Sequence, residues 1–202
     1  VEPSYPAQPW HLRGHAWLSA WLVPVSELPS EPKPFSVAGR GLVFTAWVDY
    51  DERGELPYHE LLMAVAVRSG PSIAVTITDI WVDSEASMHG ARELWKIPKE
   101  LADFDFSTPG RSPLRLTGLT AEATGSEGVL ASAAFKIGAG LPFRLPARFS
   151  VRQRGARCPV RVAGFAHRAR ATWKPVQRLS LLDGREPLFS AHIRDFRMRF
   201  GS

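Results

Sequence analysis

Proline and glycine interrupt this chain so often that long helices have little room in it. Seventeen prolines and 16 glycines are spread over 202 residues; proline breaks helix interiors, and glycine weakens helices and strands alike. Between the interruptions stand runs rich in aromatic and β-branched residues. Residues 42–50 set Val43, Thr45, Trp47 and Asp49 on one side and Phe44, Ala46, Val48 and Tyr50 on the other. A period of two predicts a strand, and apolar residues on both sides of its middle predict a central one. The class implied is all-β or β-rich α+β, built of many short elements joined by turns.

Further strands are predicted at 10–23, on aromatic content, at 58–67 and at 73–82. Residues 24–34, holding Pro24, Pro29, Pro32 and Pro34, predict a connection. Ser84 is placed to cap a short helix running past Ser87 and His89 into Arg92 and Glu93. A turn is expected at 108–110, then strands at 113–122, 128–135 and 147–154, separated by Gly125, Gly138, Gly140 and Pro142. Elements at 161–173, 175–182 and 187–200 close the chain. Pro3, Pro6 and Pro9 predict residues 1–9 to be an extended arm on a single domain spanning 1–202.

The net charge of +5 is unevenly distributed. Residues 1–135 hold 10 Lys and Arg against 17 Asp and Glu, whereas residues 136–202 hold 15 against 3. A basic third raises the question of nucleic acid, but its arginines are spread along expected strands and no recognition motif accompanies them. A homo-oligomer in which acidic and basic regions meet, or a cavity that draws in a carboxylate, accounts for the asymmetry without nucleic acid. The single cysteine, Cys158, excludes an internal disulfide and fits a reducing, cytoplasmic setting. No run approaches 18 apolar residues, so no membrane helix is expected. The six histidines show no metal-ligand spacing.

Two residues stand out chemically. Lys99 follows Pro98 and lies close in sequence to Arg92, Glu93 and Glu100; it is a candidate amine nucleophile if burial or neighbouring cations lower its pKa, and otherwise an ordinary surface lysine. Glu60 precedes the apolar run 61–67. On a strand it shares a face with Leu62 and Ala64, where a buried carboxylate would need a cation, a proton or donors; the other reading is a solvent-exposed strand start.

Residues 91–102, ARELWKIPKELA, resemble the signature of the acetoacetate decarboxylase-like family: Arg-Glu, four residues, Pro-Lys, then Leu-Ala. The opening Pro9-Trp10-His11-Leu12-Arg13-Gly14 and the strand bearing Glu60 follow the family in the same order. The resemblance implies a cone-shaped antiparallel β-barrel with flanking sheets and short helices. It implies Lys99 as a Schiff-base nucleophile, Glu60 as a catalytic carboxylate at the cavity, and Arg92 and Glu93 as positioning or electrostatic neighbours. The implied ligand is a small carboxylate or carbonyl compound, such as an oxo acid, handled without a cofactor in a homo-oligomer.

Several positions depart from that pattern. Glu100 stands where the characterised decarboxylases have a second lysine, and Ala91 where the signature has glycine. The link 68–72 lacks a further glutamate. The place of a first-strand arginine falls near His15, which is thereby a candidate positioning or electrostatic residue at the cavity. These departures leave three outcomes open for the chain: decarboxylation, other iminium or enamine chemistry, and non-catalytic binding.

Overall fold

The alternating runs of the sequence become neighbouring strands in the computed structural model, which describes residues 4–70, 72–108 and 117–202. The strands are β1 (Trp10–Pro24), β2 (Ser36–Val37), β3 (Arg40–Tyr50), β4 (Tyr58–Ser69), β5 (Ser72–Val82), β6 (Glu100–Leu101), β7 (Asp103–Ser107), β8 (Gly118–Gly125), β9 (Gly128–Gln153), β10 (Ala156–Pro175) and β11 (Phe189–Phe200). One α-helix, α1 (Glu85–Trp95), and two short 3-10 turns complete the described elements. Residues 109–110 of the expected turn, 113–116 of the strand expected at 113–122, and 1–3 of the expected arm lie outside the described residues.

All eleven strands belong to one sheet, in the order β6-β5-β4-β3-β1-β11-β10-β9-β8-β7, with β2 on β3. The neighbours are antiparallel except for β5 with β6 and β5 with β9. The β5–β9 contact bends the sheet into a barrel-like ring. It consists of the pair Val75↔Val151 among the described residues, reinforced by the Gln153 side chain. That amide accepts from Ile77 N at 3.3 Å and donates to Ile77 O at 3.0 Å, adding two hydrogen bonds between β9 and β5.

Both faces of the central strands are buried, as the two-sided pattern of β3 predicts. One face of β1 and β3 carries Trp17, Trp21, Trp47 and Val43, which pack with Leu119, Leu130 and Phe135 from β8 and the first part of β9. The opposite face carries Leu12, Ala16, Ala46 and Val48 toward the inside of the ring, with Ile80, Val160 and Phe196. Among the described residues, no helix is long and apolar enough to cross a membrane.

The break expected between 128–135 and 147–154 is absent: β9 runs unbroken through Gly138, Gly140 and Pro142. Its ladder with β8 ends at Lys136, so beyond that point proline's missing N–H removes no bond to β8. The ladder to β10 slips twice around His167, at the same level. Gly140 lies so close to His167 there that an added Cβ would fall 2.2 Å from its Nδ1. The glycines and proline thus mark a change of register, and they let one strand serve both cores.

Candidate active site

Lys99 reaches its place through a tightly defined chain reversal. Ser84 caps α1 by accepting from Ser87 N, as its position in the sequence predicts. The helix ends at Lys96, held in the left-handed conformation (φ 59°), whose N–H donates to Arg92 O while Ile97 N donates to Ala91 O. Lys99 N then donates to Ile97 O at 2.9 Å, and β6 lays Glu100 and Leu101 beside Trp81 and Val82 of β5. A lysine fixed by its own backbone on both sides projects its side chain into the ring.

There the Nζ donates three hydrogen bonds: to Glu60 Oε2 at 2.7 Å, Ser87 Oγ at 2.9 Å and Tyr58 Oη at 3.1 Å. An ammonium has three donors, so the set saturates it. Tyr50 Oη donates to the other Glu60 oxygen at 3.2 Å. Register explains the convergence, because Tyr50 pairs with Tyr58 and Val48 with Glu60 across β3 and β4, and Tyr58 and Glu60 share a face two residues apart. The Nζ also lies 4.6 Å from the Tyr58 ring centroid, and the two tyrosine rings are 4.3 Å apart.

Lys99 and Glu60 retain only 4% and 3% of their exposure. Burial pushes the Lys99 pKa down, but the Glu60 carboxylate, Tyr58 and their hydrogen bonds push it further up, so it lies above the ordinary lysine value. Burial, with Glu60 next, holds the Tyr50 hydroxyl well above its usual range, so it remains a donor.

These groups form one end of a cavity of about 540 Å³ inside the ring. The rest of its wall is apolar, with Leu62, Ala64 and Ala66 of β4, Leu42 and Phe44 of β3, and Phe196 and Met198 of β11 among the lining residues. Lys99 is the only basic side chain among the described residues of that wall.

The other residues singled out in the sequence lie elsewhere. Arg92 and Glu93 are exposed on α1 and touch the Lys99 turn through their backbone carbonyls, Arg92 O accepting from Lys96 N and Glu93 O from Lys96 Nζ. Glu100 faces outward to Arg178, 2.8 Å away, which also pairs with Asp79. His15 sits on the sheet face of Trp17, its ring stacked on His192, and does not line the cavity. An even number of positions from Leu12 would be needed to reach the inner face, and His15 is three away. Cys158 is buried, and burial pushes its thiol up to about 12. Tyr58, Tyr50 and Ser87 were not singled out as site residues; Tyr58 alone had a signal, its place two residues before Glu60.

The fold is shared with solved structures. Acetoacetate decarboxylase from Legionella pneumophila subsp. pneumophila str. Philadelphia 1 superposes with a TM-score of 0.70 at 14% identity, over 98% of this chain and 86% of that one. The enduracididine biosynthesis enzyme MppR complexed with pyruvate gives 0.67 at 13% identity, over 98% and 90%. An acetoacetate decarboxylase-like enzyme from Sphingomonas wittichii RW1 gives 0.65 at 13%, over 98% and 92%. Identities this low establish the shared fold. Residues 32–153 match the family model described as acetoacetate decarboxylase, and the chain belongs to that family. No curated protein matches the sequence.

Proposed function

We propose that this protein is a lysine-dependent lyase in which Lys99 forms an iminium with the carbonyl carbon of an oxo acid or related compound. The observation that carries this reading is the buried contact of Lys99 Nζ with Glu60 Oε2 at 2.7 Å on the wall of an apolar cavity. An amine attacks only when unprotonated, and Glu60 is placed to receive its proton. In a buried site the charged pair loses much of the advantage it has in water over the neutral amine and carboxylic acid. Attack on the carbonyl gives a carbinolamine, whose hydroxyl leaves as water on protonation, with Glu60 as the acid.

The iminium then withdraws the electron pair of an adjacent carbon–carbon bond. With a 3-oxo acid the fragment that departs is carbon dioxide, the enamine takes a proton at carbon, and water hydrolyses the iminium to ketone and free Lys99. Tyr50 and Tyr58 hold Glu60 and the amine in line throughout. Binding and loss of a carboxylate in a cavity lined otherwise by apolar groups agree with this order of events, since the charge is least favourable before it departs.

A second reading is favoured by the saturation of the ammonium by Glu60, Ser87 and Tyr58. In it Lys99 stays protonated and the protein binds a carbonyl or carboxylate ligand without chemistry. Borohydride reduction in the presence of 3-oxo and 2-oxo acids, read by intact mass and peptide mapping with Lys99→Ala as control, separates the two. A substrate-sized adduct on Lys99 supports the lyase; no adduct up to pH about 9 counts against iminium chemistry and favours the binding reading.

A further inference from the structure

The cavity is much longer than a four-carbon acid requires, and its polarity is confined to one end. From Glu60 onward the β4 residues lining the cavity are Glu60, Leu62, Ala64 and Ala66. Six residues of strand separate the first from the last, about 20 Å. Lys99, Tyr50 and Tyr58 cluster at the Glu60 end. At the Ala66 end the wall is Leu42, Phe35, Ala74 and Ile73, with no charged group among the described lining residues of that end. A volume of about 540 Å³ compares with roughly 150 Å³ for an apolar cavity that takes up one benzene.

The mouth of the ring repeats this chemistry. Strands β5 and β9 meet at Val75↔Val151. Near that pair Ile73, Leu145 and Phe149 line the cavity while remaining 54%, 49% and 39% exposed, with Phe143 at 55% two residues before Leu145 in β9. Apolar side chains left in water around an apolar cavity favour passage and retention of an apolar group, and Arg68, Arg148 and Arg161 stand outside them at the rim.

We infer that the ligand of this site is an amphipath: a carbonyl head at Lys99 joined to a straight or aromatic apolar tail of roughly ten carbons lying along β4 toward Ala66. The inference rests on the carbonyl reading of Lys99 for its head and on the cavity alone for its tail. It makes the substrate a long-chain oxo acid or ketone, of the kind left by condensation of acyl chains, rather than acetoacetate. The residues that select the tail are Ala64 and Ala66, whose small side chains leave the channel open, and Phe44, which forms its wall beside Ala64 in the β3–β4 ladder.

The test is borohydride trapping on Lys99 with straight-chain methyl ketones from butanone to dodecanone. The concentration for half-maximal adduct is expected to fall about three- to fourfold for each added methylene until the cavity fills. In Ala66→Phe the gain should stop several carbons earlier. A series that is flat or favours butanone, or an Ala66→Phe variant weakened equally at every length, overturns the inference. Displacement of a bound apolar fluorophore by straight-chain alcohols of the same lengths reads the cavity without Lys99 chemistry. Chain-length dependence there without any trapped ketone removes the iminium reading and keeps the apolar tail; trapping without chain-length dependence does the reverse.

Discussion

Lys99 Nζ and Glu60 Oε2 are 2.7 Å apart although 39 positions separate the two residues in the chain, and both are buried. Removing one partner leaves the other's charge without compensation at a buried position. Lys99→Met or Glu60→Leu alone should lower stability by about 3–5 kcal/mol, whereas the double variant should recover most of that loss. Urea unfolding of the four proteins in a double-mutant cycle measures the coupling; additive single effects would show that the two groups do not act as a pair.

The same pair sets a pH dependence. Burial lowers the Lys99 pKa, and Glu60 with Tyr58 raises it beyond what burial removes, so in the native protein adduct formation should increase as pH rises toward the alkaline range. In Glu60→Gln the burial remains and the charge does not, and the midpoint of trapping should move to lower pH. Its maximal rate should fall as well, because the group that takes and returns the proton is gone. An unchanged midpoint would contradict the electrostatic role assigned to Glu60. For stability the sign is that of a raised basic group: the contribution of Lys99 is fully present below its unfolded pKa and is lost as pH climbs through the folded one.

His192 predicts an acid-side effect. Burial, followed by the neighbouring His15, His167 and Arg194, holds its pKa at about 3. The unfolded chain binds a proton near pH 6.5 that the folded chain refuses, so stability should decline as pH falls from about 6.5 toward 3, by at most about 1.4 kcal/mol per pH unit from this residue. His192→Phe should flatten that decline in thermal unfolding measured across the interval. An equally steep decline in the variant would assign it to other groups.

Closure of the ring depends on Gln153. Its amide is the partner of both Ile77 N and Ile77 O, and Thr76 Oγ1 donates to Arg152 O beside it. Gln153→Ala leaves two buried backbone groups without that partner, and a loss of about 2–4 kcal/mol is expected. Amide hydrogen exchange should rise first in β5 around Ile77 and in the last residues of β9. Exchange unchanged there would show that the Val75↔Val151 contact suffices.

Sequence by itself determined the local elements. The period of two in β1, β3, β4 and β5, the Ser84 cap and the Pro98-Lys99 turn are all written in neighbouring residues, because strand alternation and capping act over a few positions. The Arg92-Glu93 to Pro98-Lys99 spacing likewise carried the family. Tertiary structure decided what surrounds Lys99. Tyr58, Glu60 and Ser87 lie 41, 39 and 12 positions away and converge only when β3, β4 and α1 take their register. It also turned Arg92, Glu93 and Glu100 away from the cavity, put His15 on the opposite sheet face, and carried β9 through glycines and a proline that read locally as a break. These depend on which strand lies alongside and on what fills the space beyond it. A side chain's own neighbours in sequence do not fix its pKa or its cavity; pairing across the sheet does.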